Sequence, residues 1–258
     1  MTQENRTTQG AALQVQEGQV VIGSWSKDLM QVVAQSAQLR GLLRAGRVED
    51  ARAFLQERRA EEQAALVAFD VNPEEVLALT GMDAQGKPAY QTAVVDLLPT
   101  EILTGLIAPR LEEERFNVEV LRALSPEAFA RTVEETLDPV YQQELRIQVS
   151  WEWLEAVAAL ADPSKAAALL RQTDSVLLEE AILNRLDHLD LGAVAGSVAD
   201  GMFSVSRMQL FSEGLTGGRP GAYIEDVETA AVLDALYEAA PDLLSQLVCS
   251  AARRMGGI

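Results

Sequence analysis

From residue 13 the apolar positions alternate. Leu13, Val15, Val20 and Ile22 lie on either side of Glu17-Gly18, and a period of two around a turn pair predicts a small β-hairpin. A lone hairpin is marginal in water, so it has to pack on the body of the protein or on a partner. At Ser26, a residue type that caps helices, the period becomes helical: Leu29, Val32, Val33, Ser36, Leu39, Leu42 and Leu43 share one stripe. Ala45-Gly46 interrupts the stripe, and Val48, Ala51, Phe54 and Leu55 resume it. Gly46 suits the left-handed position that closes a helix, and Glu49 and Asp50 suit the positive start of the next one, so a helical hairpin is predicted.

Prolines punctuate the rest of the helical pattern. Asn72-Pro73, Ser125-Pro126, Asp138-Pro139 and Asp162-Pro163 each set a capping side chain before a proline, which is tolerated at the first helical position because that N–H has no helical partner. Pro99, followed by Thr100 and Glu101, sits in a similar frame. The steps between these prolines are 26, 27, 13 and 24 residues, close to multiples of 13, as if each beat held one helix and its turn. The run "WEWLEAVAALADPSKAAALLRQTD" is one such beat: a helix stops at Asp162-Pro163 and another of similar composition restarts. A helix of about ten residues is some 15 Å long and unstable alone in water, so each must lean on its neighbours. The fold class expected is all-α, with stacked short antiparallel helices forming an α-solenoid or superhelical layer and a possible small N-terminal β-hairpin.

Two resemblances follow from these blocks. "LLRAGRVEDARAFL" resembles the inter-helix turn of tetratricopeptide-type repeats, although the roughly 34-residue signature does not recur along the chain. "LLPTEILTGLI" and "ALSPEAFARTV" resemble the Leu-x-x-Leu-Pro-x-x-x-Ala runs of the cytoplasmic N-terminal domain of MgtE-type magnesium channels, a superhelix related in shape to parts of the flagellar switch protein FliG. That likeness covers roughly residues 65 to 190 and is one of core spacing and helix starts. It implies a cytoplasmic helical module that senses divalent ions or docks other proteins. The channels' ion-binding module and transmembrane region have no counterpart in this sequence, which argues against magnesium transport, and no binding residue is carried over.

The last third changes character. "GLTGGRPG" within residues 213–223 is the strongest loop signal in the chain, and a final helical pair is predicted from Glu225 to Tyr237 and from Pro241 to Arg254. The organisation expected is a flexible leader with the possible hairpin over 1–25, a helical repeat body over 26–200, a Gly/Ser-rich loop over 201–222 and a C-terminal helical pair over 223–258.

Composition supports helix and narrows the partners. The 48% hydrophobic fraction is mostly Ala, Leu and Val, with few aromatics. Thirty-nine acidic against 21 basic side chains give a net charge of -18, which disfavours nucleic acid and anionic lipid and favours basic protein partners or divalent cations. Cys249 is the only cysteine, so no intramolecular disulfide can form. The polar start "MTQENRTTQG" lacks the layout of a signal peptide, and no stretch approaches a membrane span of roughly 18 uninterrupted apolar residues. A soluble cytoplasmic protein without membrane insertion is expected.

The candidate chemistry is thin. His188, the only histidine, shares a helix face with Glu180 and Asn184 and lies near Asp187 and Asp190; a polar stripe at a helix end is the preferred reading over a metal or acid–base cluster. Glu112, Glu113 and Glu114, and Glu134, Glu135 and Asp138, could hold a hard cation only if the fold gathered them. Consecutive acids point around a helix, and Arg110, Arg115 and Arg131 stand close enough to neutralise them. The Gly-rich loop lacks the Lys-Ser/Thr ending of a phosphate loop. Trp151 and Trp153 flank Glu152 and should face different ways, one inside and the other at a neighbour or open to a partner. Arg253-Arg254 is too short for a nucleic-acid patch, and Cys249 reads as a small core residue. No catalytic, cofactor-binding or metal residue is assigned, and no cofactor is expected. The function expected is a non-enzymatic protein-protein interaction or scaffold module, self-association included. The alternative is an acidic regulatory domain that senses a divalent cation or small ligand.

Overall fold

The computed structural model describes residues 12–81, 89–108, 116–140, 142–185, 227–244, 246–247 and 250. The chain divides into two compact units, Met1–Ala128 and Phe129–Ile258. Among the described residues helix dominates, with one small antiparallel sheet near the start of the first unit.

The sheet has three strands rather than the two of a hairpin: β1 (Gln14–Gln16), β2 (Gln19–Ile22) and β3 (Trp25–Asp28), in the order β1-β2-β3. Glu17 and Gly18 both have positive φ, 48° and 78°, as a two-residue turn between right-twisted strands requires. Ser26 therefore does not start a helix. It pairs with Val21 in the β2–β3 ladder, and Asp28 caps the first helix instead, its carboxylate accepting from the Gln31 N–H at 3.1 Å. The sheet packs on the body, as so small a sheet must: Val20 and Ile22 are buried, β2 and β3 lie against the first helix, α1 (Leu29–Arg44), and the Leu13 N–H donates to the Leu97 carbonyl at 3.0 Å. Lys27 adds polar ties, its ammonium donating to Gln35 at 3.0 Å and to Glu62 at 2.7 Å.

The helices of the first unit are α1 (Leu29–Arg44), α2 (Val48–Gln56), α3 (Ala60–Ala68), α4 (Pro73–Thr80), α5 (Thr92–Val95), α6 (Thr100–Ile107) and α7 (Val118–Ala123). Each packs on its successor or on the helix two ahead: α1 on α2 and α3, α2 on α4, α3 on α4 and α5, α4 on α6, α5 and α6 on α7. This ladder of local contacts is how helices too short to stand alone are covered. α8 (Pro126–Leu137) carries the unit boundary in its first turn. The second unit continues with α9 (Gln143–Ala158), α10 (Pro163–Gln172), α11 (Ser175–Arg185) and α12 (Val227–Ala239). It is built differently. α9 is contacted by α10, α11 and α12, and α12 also returns onto α10, so this unit closes around α9 as a bundle instead of extending a stack.

The proline signals divide on inspection. Asn72, Ser125 and Asp162 each accept a backbone N–H from three residues ahead, and Pro73, Pro126 and Pro163 open their helices as expected. Pro99 occupies the cap position of α6, one place earlier than the others. Asp138-Pro139 is a correction: it closes a helix. α8 ends at Leu137 with Asp138 and Val140 bonded back into its last turn, and α9 begins only at Gln143, because a residue before proline avoids the helical region. α9 then spans 16 residues, so the beat of 13 breaks there.

Of the C-terminal pair, the first helix is α12, and Pro241 opens a second helical stretch described over 241–244. The loop expected over 201–222 lies outside the described residues.

Candidate interaction surface

α1 has two apolar sides. Val32, Ser36 and Leu39 are buried against the sheet, α2 and α3, whereas Val33, expected on that stripe, stands at its margin and is 43% exposed. Opposite them lie Met30, 71% exposed, and the exposed Ala34, Ala37 and Gly41, spaced by four, three and four residues as one helix face requires. No acidic residue occurs in α1. From Met30 to Gly41 the outward face is uncharged over most of a helix about 24 Å long, with Asp28 at its start and Arg44 in its last turn.

Two glycines frame this helix in different ways. Gly46 follows the Ala45 cap at φ 71°, and the N–H groups of Gly46 and Arg47 donate to the carbonyls of Leu43 and Leu42 at 2.9 and 3.0 Å. That paired reverse bonding satisfies carbonyls the helix leaves open and needs the left-handed conformation glycine adopts freely. Gly41 has no such reason. It lies inside the helix, where glycine costs roughly 1 kcal/mol relative to alanine, and a Cβ there would meet nothing within 4 Å. Gly105 of α6 is equally open but has Glu101 one turn before it. Gly41 sits in a continuous uncharged face.

Charge is distributed unevenly around α1. Residues 1–59 carry eight Lys and Arg against six Asp and Glu, while residues 60–258 carry 13 against 33. Several of the early cations are engaged within the fold. Arg40 pairs with Asp70, whose side chain is buried, and with Glu75 at 2.6 Å, which locks the α3–α4 turn to α1. Asp70 also accepts from the Asn72 N–H at 2.8 Å. Arg58 donates to the Phe54 carbonyl and stacks over the Phe54 ring at 3.3 Å, closing α2 with no glycine or proline to announce the end. Arg59 pairs with Glu61 at 2.9 Å. Glu61's own backbone N–H holds its carboxyl below the usual range; Arg59 adds to this, against the opposing effect of desolvation.

A polar cluster of the second unit joins α9 to α11, with the Glu228 charge of α12 acting on it. The indole N–H of buried Trp151 donates to Glu155 at 2.6 Å, and the Arg185 guanidinium lies over the same indole, 5.1 Å from its centroid. Burial pushes the Glu155 carboxyl up; the Trp151 hydrogen bond and Arg185 pull it down, and Glu152 and Glu228 push it up again. Trp153, on another side of α9, meets the Phe129 ring edge to face at 5.6 Å. Both tryptophans are therefore buried, on different sides of α9, so of the two placements left open for the second ring the one against a neighbour holds. Two small clefts flank α9 and share Leu154, Leu170 and Leu178. Their only polar side chains are Ser150 and Thr173, and the Thr173 hydroxyl already donates to the Leu169 carbonyl at 3.0 Å. In the first unit, Tyr90 hydrogen-bonds Asn117; desolvation raises its phenol, Asn117 opposes this, and Glu119 adds to it.

The other side chains singled out in the sequence are placed as follows. Glu134, Glu135 and Asp138 are exposed at the end of α8, and Glu180 lies on α11. Glu112, Glu113 and Glu114, His188 with Asp187 and Asp190, the 213–223 loop and Cys249 lie outside the described residues. Among the described residues no group of three or more His, Cys, Asp and Glu is placed to hold a metal ion, and no helix is long and apolar enough to cross a membrane. Compared with known proteins, the chain matches no family model, no curated protein and no solved structure.

Proposed function

We propose that this chain is a non-enzymatic protein-protein interaction module whose docking surface is the outward face of α1. The observation that carries the reading is that face itself: Met30 and Val33 are exposed beside Ala34, Ala37 and Gly41 on a helix already anchored through its other side. Apolar residues scattered over a surface need no explanation, whereas a contiguous uncharged face on a strongly acidic chain does. The open Gly41 supports it, since a mid-helix glycine that nothing in its own fold requires lets another backbone come close. The docking role implied by the MgtE-type resemblance is compatible with this proposal.

A photo-crosslinking residue at Met30 tests it. Irradiation in cells should give covalent adducts to protein, either this chain or another, and the same residue at exposed Glu134 should give few. Equal labelling at both positions, or none at Met30, would remove α1 as the docking surface.

A further inference from the structure

We infer that the occupant of the α1 face is a second copy of this chain, docked antiparallel about a two-fold axis near Ala37; the inference rests on the interaction reading above. Four features lead to it. The first is size complementarity along the helix. With Ala37 facing Ala37, Val33 of one copy falls opposite Gly41 of the other, and Met30 falls along the aliphatic stem of Arg44, so the two largest apolar residues of the face meet a small or a flexible one. An isologous contact of this kind needs one self-complementary surface, which α1 supplies.

The second is end-to-end charge. α1 starts at acidic Asp28 and finishes at basic Arg44; Arg47 just beyond is paired with Asp50 at 2.6 Å. Antiparallel docking brings each Asp28 within a turn of the other copy's Arg44 and opposes the two helix dipoles, whereas parallel docking sets Asp28 against Asp28 and Arg44 against Arg44. The third is the field of the whole chain. Two copies at net charge -18 repel, and α1 itself carries no acidic residue. A second copy can therefore approach most easily there. The fourth is Gly41, which lets the two helices cross closely on a face where its own chain places nothing.

A contact built on one helix face is at the small end of stable interfaces, so the dimer is expected to dissociate on dilution in the micromolar range. The test uses the full chain in a Cys249→Ser background. Light scattering should show the mass rising with concentration from 28.0 kDa toward twice that value. Gly41→Glu, which would bury a carboxylate against the other copy's Val33, should weaken association by about tenfold or more without lowering the melting temperature of the monomer, since glycine is the poorer helix former. Orientation is read by disulfide trapping with oxidised glutathione: Ala37→Cys should crosslink to itself, and a mixture of Val33→Cys and Gly41→Cys chains should crosslink better than either alone. A monomer at every concentration overturns the inference, as does a dimer in which Val33→Cys and Gly41→Cys each trap themselves better than each other. If the chain is monomeric yet Met30 crosslinks to a different protein, self-association fails and the interaction reading stands. If it is monomeric and Met30 captures no protein, both fail.

Discussion

Two residues with left-handed backbone show how locally this chain is specified. Gly46 at φ 71° ends α1, and Ala161 at φ 50° stands in the two-residue gap before Asp162 caps α10. A Cβ in this conformation costs roughly 1–2 kcal/mol, partly offset by the smaller conformational freedom of a non-glycine residue in the unfolded chain. Opposite substitutions should therefore have opposite signs. Gly46→Ala is expected to destabilise by about 1 kcal/mol and Ala161→Gly, on an exposed turn, to stabilise by about 0.5 kcal/mol, read as melting-temperature shifts of a few degrees or less. Equal signs for the two would show that something other than backbone conformation dominates. Gly46 was legible in the sequence because a glycine between two helical stripes has few other uses. Ala161 was not, since alanine carries no signal for a left-handed turn and the position is fixed by where Leu160 and Pro163 have to go.

At the scale of elements, the side chains that start helices were easier to read than those that end them. Asn72, Ser125 and Asp162 act one residue before a proline, so cap and ring announce the same event. Arg58 ends α2 through a carbonyl and a ring four residues earlier, which a survey of glycine and proline passes over. β3 was missed because Trp25–Asp28 has no apolar alternation of its own; its strand state comes from pairing with β2. Polar ties between elements also need the fold. The Trp151–Glu155–Arg185 cluster joins α9 to α11, and its carboxyl is raised mainly by burial. A carboxyl whose folded pKa is raised contributes stability that is complete below the ordinary glutamate range and is lost as pH rises through the folded value. Glu155→Gln keeps an acceptor for the indole and removes that titration. The melting temperature of the Gln variant relative to the native chain should rise as pH is raised from below the ordinary glutamate range to neutrality, then level off. A difference that shrinks over that interval would mean that Arg185 outweighs the cost of burial.

At the scale of the molecule, the helical class and the first two N-terminal strands follow from periodicity, because amphipathic spacing is a direct record of which side is covered. The return of α12 onto α9 and α10 does not, since a contact across that much sequence leaves no local pattern. The outward face of α1 lay in plain view: Met30, Ala34, Ala37 and Gly41 recur at helical spacing, yet small residues count weakly in a search for core, and the stronger Leu and Val stripe takes in Val33, which stands at its margin. The same spacing that buries one side of α1 therefore leaves a second side for another chain. Hydrogen exchange of the full chain, followed by mass spectrometry at dilute and at concentrated protein, tests this most directly. Peptides spanning Leu29 to Arg44 should exchange more slowly at high concentration while α3, α9 and α10 stay unchanged. Exchange of α1 that is the same at both concentrations, or new protection confined to another element, would contradict it.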